Sequence, residues 1–204
     1  MKRLILPLLG ILMYANTSFA QGIDDRAVIP VSVTLNSILR LNVVSGGNIE
    51  FNFNTLSDYQ NGISNSSNYN TVFTVASSVD WNVEMYTEDA TLVGTDNAGT
   101  PNTLALNNIG YHVTSVTAAA NYDIPADDPT APLGLNNIPG TILVGYNGTT
   151  SNAGGVETNN FTIHWECGTT PAGGTMAATS ILEQQAAADR YATNIFLILS
   201  PVTP

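Results

Sequence analysis

Apolar and polar residues alternate with period two along most of this 204-residue chain, and that spacing limits its fold more than any other feature. Successive side chains of a strand point to opposite faces, so the pattern makes one face apolar and the other polar. "VIPVSVTLN", Val28 to Asn36, sets Val31, Val33 and Leu35 against Ser32, Thr34 and Asn36. "NIEFNFN" sets Ile49, Phe51 and Phe53 against Glu50, Asn52 and Asn54. "TVFTVA", "YHVTSVT", "GTILVGY", "NFTIHWEC" and "RYATNIFLIL" continue the pattern. Each is rich in β-branched or aromatic residues and bounded by Gly, Asn, Asp or Pro, the composition of short strands between turns. One stretch, "SILEQQAAAD" from Ser180 to Asp189, carries a helical signal, the capping-box spacing of Ser180 and Glu183. The expectation is an all-β chain of about nine to eleven strands, a single antiparallel β-sandwich with at most one short helix. A closed barrel is the alternative.

Residues 1–20 read as a signal peptide, which makes 21–204 the folded domain. Lys2 and Arg3 form its basic start, "LILPLLGILMY" its apolar centre, and "SFA" the small-residue cleavage site. The apolar centre is shorter than the roughly 20 residues a spanning helix needs, and later apolar runs such as "IFLIL" at 195–199 are strand-sized. No membrane span is therefore expected. The place of action would be the cell surface, the extracellular space or the periplasm.

The whole chain carries a net charge of −11. Without residues 1–20, Arg26, Arg40 and Arg190 stand against sixteen acids, a net charge of −13 with no lysine at all. Such a chain repels phosphate backbones, so nucleic acid is not an expected partner. Lysine-based Schiff chemistry and Lys–Asn cross-links are excluded in the mature chain.

Candidate chemistry is sparse. His112 and His164 are the two histidines and Cys167 the one cysteine, so no disulfide can form within the chain. "HWEC" brings His164 and Cys167 close in sequence, but strand parity separates them: His164 goes with Glu166, and Cys167 with Phe161, Ile163 and Trp165. Cys167 reads as a buried thiol in the core, with pairing between subunits as the alternative. The same parity groups Trp81 with Val83 and Met85, so Trp81 and Trp165 are both expected in the core. No G-x-S-x-G elbow occurs, and no catalytic residue is assigned.

The long stretch 118–140 holds four prolines together with Asp123, Asp127 and Asp128. A solvated acidic loop is the plain reading. Calcium, which takes six to eight oxygen ligands from such loops, is the one cofactor these carboxylates suggest. A pair of carboxylates for glycoside hydrolysis would need a set separation that sequence does not define. Tyr86 shares parity with Asn82 and Glu84 on the polar face, and Tyr122 and Tyr146 lie near loops. These three are the ligand-binding candidates, tyrosine being well suited to glycan or protein contacts.

"LEQQAAADRYATNIFLILSP", Leu182 to Pro201, resembles the closing strand of bacterial fimbrial-type and spore-coat-U-like sandwiches, in which a glutamine, a spacer and a tyrosine lead into an apolar strand. Gln184, Tyr191 and Ile195–Leu199 take those places. "FTVASSVDWNVEM", Phe73 to Met85, is similar to core strands of WxL-like and fimbria-like exported domains. The resemblance covers about a fifth of the mature chain and lacks the paired cysteines of the fimbrial pattern. It implies an immunoglobulin- or fimbrial-like sandwich serving as a non-enzymatic structural or adhesive surface subunit. The alternative is an extracellular carbohydrate-binding module, with calcium assisting. Partners follow from the same two readings: self-assembly or a surface protein in the first, a glycan in the second. The strand at Val28–Asn36, preceded by a polar leader from Gln21, is expected to pair with its own sheet or to add to a neighbour's.

Overall fold

The computed structural model describes residues 29–96, 101–117 and 121–202. The expected signal peptide and the leader before Val28 lie outside them. The chain divides into two units, Met1–Leu35 and Asn36–Pro204, a boundary that falls inside the expected 21–204 domain. Every strand among the described residues lies in the second unit.

The strands run in order as β1 (Leu39–Ser45), β2 (Asn70–Ser77), β3 (Trp81–Thr87), β4 (Thr91–Gly94), β5 (Thr103–Ala105) and β6 (Ile109–Ser115). After these come β7 (Tyr122–Asp123), β8 (Leu133–Gly134), β9 (Ile142–Tyr146), β10 (Asn160–Cys167), β11 (Tyr191–Ala192) and β12 (Ile195–Pro201). They form a five-stranded sheet β1-β2-β10-β6-β8, a four-stranded sheet β12-β3-β9-β7 and a three-stranded sheet β11-β4-β5. The described ladders are all antiparallel. The fold is thus all-β and sandwich-like.

Alternation explains which faces close on each other. In β10, Phe161, Ile163, Trp165 and Cys167 are buried, and in β3, Trp81, Val83 and Met85 are buried. Trp81 of the four-stranded sheet meets Phe161 of the five-stranded sheet edge-on at 5.9 Å. Phe161 also stacks on Phe73 at 5.2 Å and takes Tyr122 edge-on at 4.9 Å. This aromatic group joins the two larger sheets.

A buried polar network fastens the loop after β9 to the same place. Asn152 Oδ1 accepts from the Trp81 backbone amide at 3.0 Å, and Asn152 Nδ2 donates to the Trp81 carbonyl at 2.8 Å. The Trp81 indole N–H donates to the Asn152 carbonyl at 2.8 Å. That carbonyl also accepts from Asn159 Nδ2 at 3.1 Å, and the Tyr122 hydroxyl donates to Asn159 Oδ1 at 2.8 Å. The buried side chains of Asn152, Asn159, Trp81 and Tyr122 thus satisfy one another, as buried polar groups must to avoid a desolvation cost.

Several expectations are corrected. Residues 29–36 belong to no strand. Ile49–Phe53 forms none either, although Ile49 and Phe51 pack against the core and Phe51 stacks on Tyr69 at 4.5 Å. Here the alternation marks burial without a ladder partner. Ser180–Asp189 is a run of turns, not a helix. Its capping box does form, with Ser180 N donating to Glu183 Oε2 at 3.0 Å and Glu183 N to Ser180 Oγ at 3.3 Å. The chain then turns at Gln185, whose φ of 53° leaves the helical region. The α-helix that does form, α1 (Leu56–Asn61), starts from a capping box of Thr55 and Asp58 and closes at Gly62, φ 72°. Within 118–140, the described residues from 121 onward supply β7 and β8 rather than one long loop.

Candidate functional site

On the outer face of the five-stranded sheet, the β6–β10 ladder sets His112 directly opposite His164. Their rings stack with centroids 4.5 Å apart and planes 12° from parallel. His164 Nε2 lies 2.9 Å from Thr114 Oγ1 and its Nδ1 3.0 Å from the side-chain amide of Asn70. Hydroxyl, imidazole and amide in line have the look of an activated nucleophile.

The hydrogen-bond directions contradict that role. The Asn70 amide faces only acceptors in the Ser66 and Tyr69 carbonyls, so its nitrogen points to them and donates to His164 Nδ1 at 3.0 Å. A ring nitrogen that accepts leaves the other one protonated in neutral imidazole. Nε2–H therefore donates to Thr114 Oγ1 and cannot take its proton.

The other reactive groups are also held in check. His112 is 6% exposed, and its Nδ1 is buried with no hydrogen-bond partner. Glu166 is buried two residues along from His164, which pushes its carboxyl up, and it accepts from Thr169 at 3.0 Å. Cys167 is buried on the opposite face, and burial pushes its thiol up to about 12.

The expected calcium carboxylates do not assemble. Asp123, Asp127 and Asp128 are exposed, and among the described residues no three His, Cys, Asp or Glu side chains converge on a common point. Asp128 instead accepts from Thr130 N and Oγ1 at 2.8 and 2.7 Å, which holds its carboxyl below the usual range.

The three tyrosines are likewise separated. Tyr122 is buried in the aromatic core, so it cannot offer its ring to a ligand. Tyr146 is half-buried at the end of β9, where its backbone amide donates to Asn82 Oδ1 at 3.0 Å. Tyr86 is half-buried on the outer face of β3, 5.6 Å from the exposed ring of Phe196 on β12. Phe196 is the partner that the sequence pattern does not reveal, since Ile195–Leu199 is apolar at every position and so does not distinguish inner from outer residues.

Of the strands that end the described sheets, β1 and β12 are the long ones. β1 ends the five-stranded order and β12 the four-stranded one, and their Cα atoms approach within 8 Å. Along them, Val43, Val44, Ile195, Phe196 and Ile198 are exposed, while Leu39, Leu41, Leu197 and Leu199 are only partly covered. Separately, in the first unit, Ile29, Val31, Val33 and Leu35 are 82%, 85%, 78% and 89% exposed. No helix among the described residues is long and apolar enough to cross a membrane. No protein-family model matches the chain, and no curated protein matches it in sequence.

Proposed function

We propose that the chain is a non-enzymatic, exported cell-surface subunit, structural or adhesive, that joins copies of itself by adding a strand. The carrying observation is the exposed alternating segment Ile29–Leu35. Burying four aliphatic side chains contributes about 6 to 12 kcal/mol at about 1.5–3 kcal/mol each, a large amount to forgo. A neighbour's edge at β1 or β12 offers the unpaired backbone and half-covered leucines that such a strand pairs with. Export, the expected signal peptide and the acidic, lysine-free mature composition fit a surface role. The occupied His164 nitrogens and the buried thiol support a non-enzymatic reading.

The test compares residues 21–204 with residues 37–204 by size-exclusion chromatography and negative-stain electron microscopy. The longer chain is expected to form oligomers or filaments, and the shorter one monomers of unchanged melting temperature. A monomeric longer chain, or a shorter one that melts markedly lower, would show that the segment serves its own fold instead.

A second reading rests on the Tyr86–Phe196 pair, two rings on an open sheet face beside Glu84. Such a platform suits stacking on a sugar ring. Binding on a glycan array that is lost in Phe196→Ala would favour it.

A further inference from the structure

β8 covers only part of β6, pairing with Gly110 and Tyr111. Beyond them, the Val113 amide donates to the Ala126 carbonyl at 2.7 Å. Between these two tethers the covering chain turns at Asp128–Thr130. His112 lies between the same tethers on β6, nearly sealed and stacked on His164. We propose that Ala126–Gly134 is a proton-operated latch on β6, closed while the His112–His164 pair is neutral and released as the pair takes up protons.

The geometry disfavours a proton at either ring. A proton on His164 Nδ1 would face the Asn70 amide N–H in place of a lone pair. His112 Nδ1 has no acceptor near it, so an added N–H would be buried and unpaired. A charge on either ring sits against its neighbour at 4.5 Å. Burial holds both imidazoles below the ordinary histidine value; His164 adds to this at His112, and Asp128 opposes it. The groups around the pair are few. β10 contributes Glu166 on the same face, the latch contributes Asp127 and Asp128, and β2 contributes the neutral Asn70. β8 and the stretch 169–177 carry no charged side chain.

The direction follows from linkage. Histidine returns toward about 6.5 in the open form, which therefore binds protons more readily than the closed form. The latch is fully closed above that pH and loosens as pH falls below it. The open population gains up to about tenfold per pH unit for each histidine that titrates. Release uncovers the second long edge of the five-stranded sheet.

Amide hydrogen exchange on the full mature chain tests the proposal, read as protection factors at pH 7.5 and 5.0. Val113 reports the latch, and Val75, whose amide donates to the Asn159 carbonyl at 2.9 Å, reports the core. Val113 is expected to lose at least about tenfold in protection at pH 5.0, with Val75 changing far less. His112→Phe keeps a stacked ring without a titrating nitrogen and should abolish the loss. Asp128→Asn keeps the turn, removes the opposing charge and should deepen the loss at pH 5.0 while leaving its onset near the open-form histidine value. Should His112→Phe fail to fold, His164→Gln is expected to reduce the pH dependence. Val113 protection that stays constant, or falls in step with Val75, would overturn the latch, as would an unaltered loss in the folded histidine variant.

Discussion

At the scale of single residues, Asn152 does the most with one side chain. It answers both backbone groups of Trp81 while its own carbonyl holds the indole. Asn152→Ala leaves the two buried backbone groups of Trp81 unpaired, and should cost about 2–6 kcal/mol at roughly 1–3 kcal/mol per orphaned group. Trp81→Ala opens a cavity instead and should cost about 3–5 kcal/mol. Urea denaturation checks both, and near-native stability of either would refute its structural role. Cys167 makes a separate prediction. With its thiol buried and pushed up to about 12, it should resist a disulfide reagent at pH 8 in the folded protein and react fully in denaturant. Rapid labelling of the native chain would revive pairing between subunits.

At the scale of elements, β1 depends on one glycine just past its end. Its ladder with β2 shifts register between Val43 and Ser45, and Gly46 follows at φ 69°. A Cβ there would lie 1.9 Å from the Asn70 carbonyl oxygen. The Gly46 carbonyl also accepts from Thr71 Oγ1 at 2.6 Å, and that hydroxyl accepts from the Trp165 indole at 2.9 Å. Gly46→Ala should destabilise by about 3 kcal/mol through the left-handed backbone and the clash, visible as a lower melting temperature. Alternation made β3 and β10 legible because their inner residues face a full core. It misled at Ile49–Phe53 and at the described residues 29–36 of the second alternating run, where period two is present but no ladder forms among the described residues, since pairing depends on chain packing far away in sequence. The Thr55–Asp58 spacing was readable as a helix start but is six residues from its end at Asn61, too short to show a period. The capping box at Ser180 formed without a helix, because the following alanines bring no apolar face to pack.

At the scale of the whole molecule, sequence exposed less of the site than of the fold. Parity placed His164 and Glu166 on one face, yet the stack with His112 depends on β6–β10 register, which no local pattern encodes. The scattering of Asp123, Asp127 and Asp128 has the same origin: neighbours along the chain project to different places once β7 and the turn at Asp128 form. Strand addition and the latch make distinguishable claims at this scale. Deleting residues 21–36 should abolish assembly and leave the acid response of Val113 intact, whereas His112→Phe should do the reverse.

The strand-bearing unit is entered and left at one corner. The Ile38 carbonyl accepts from the Ser78 amide at 3.0 Å, and the Val202 amide donates to the Asp80 carbonyl at 2.8 Å, so both ends are fixed to the short β2–β3 connection. That arrangement sets how the protein bears load. Tension applied between Ile38 and Val202 meets β1 and β12 at their first rungs, in the direction that unzips each ladder. The bonds then break singly instead of sharing the force in shear. A subunit held by its two chain ends yields early, whereas one gripped along a sheet edge spreads the same pull over a whole strand.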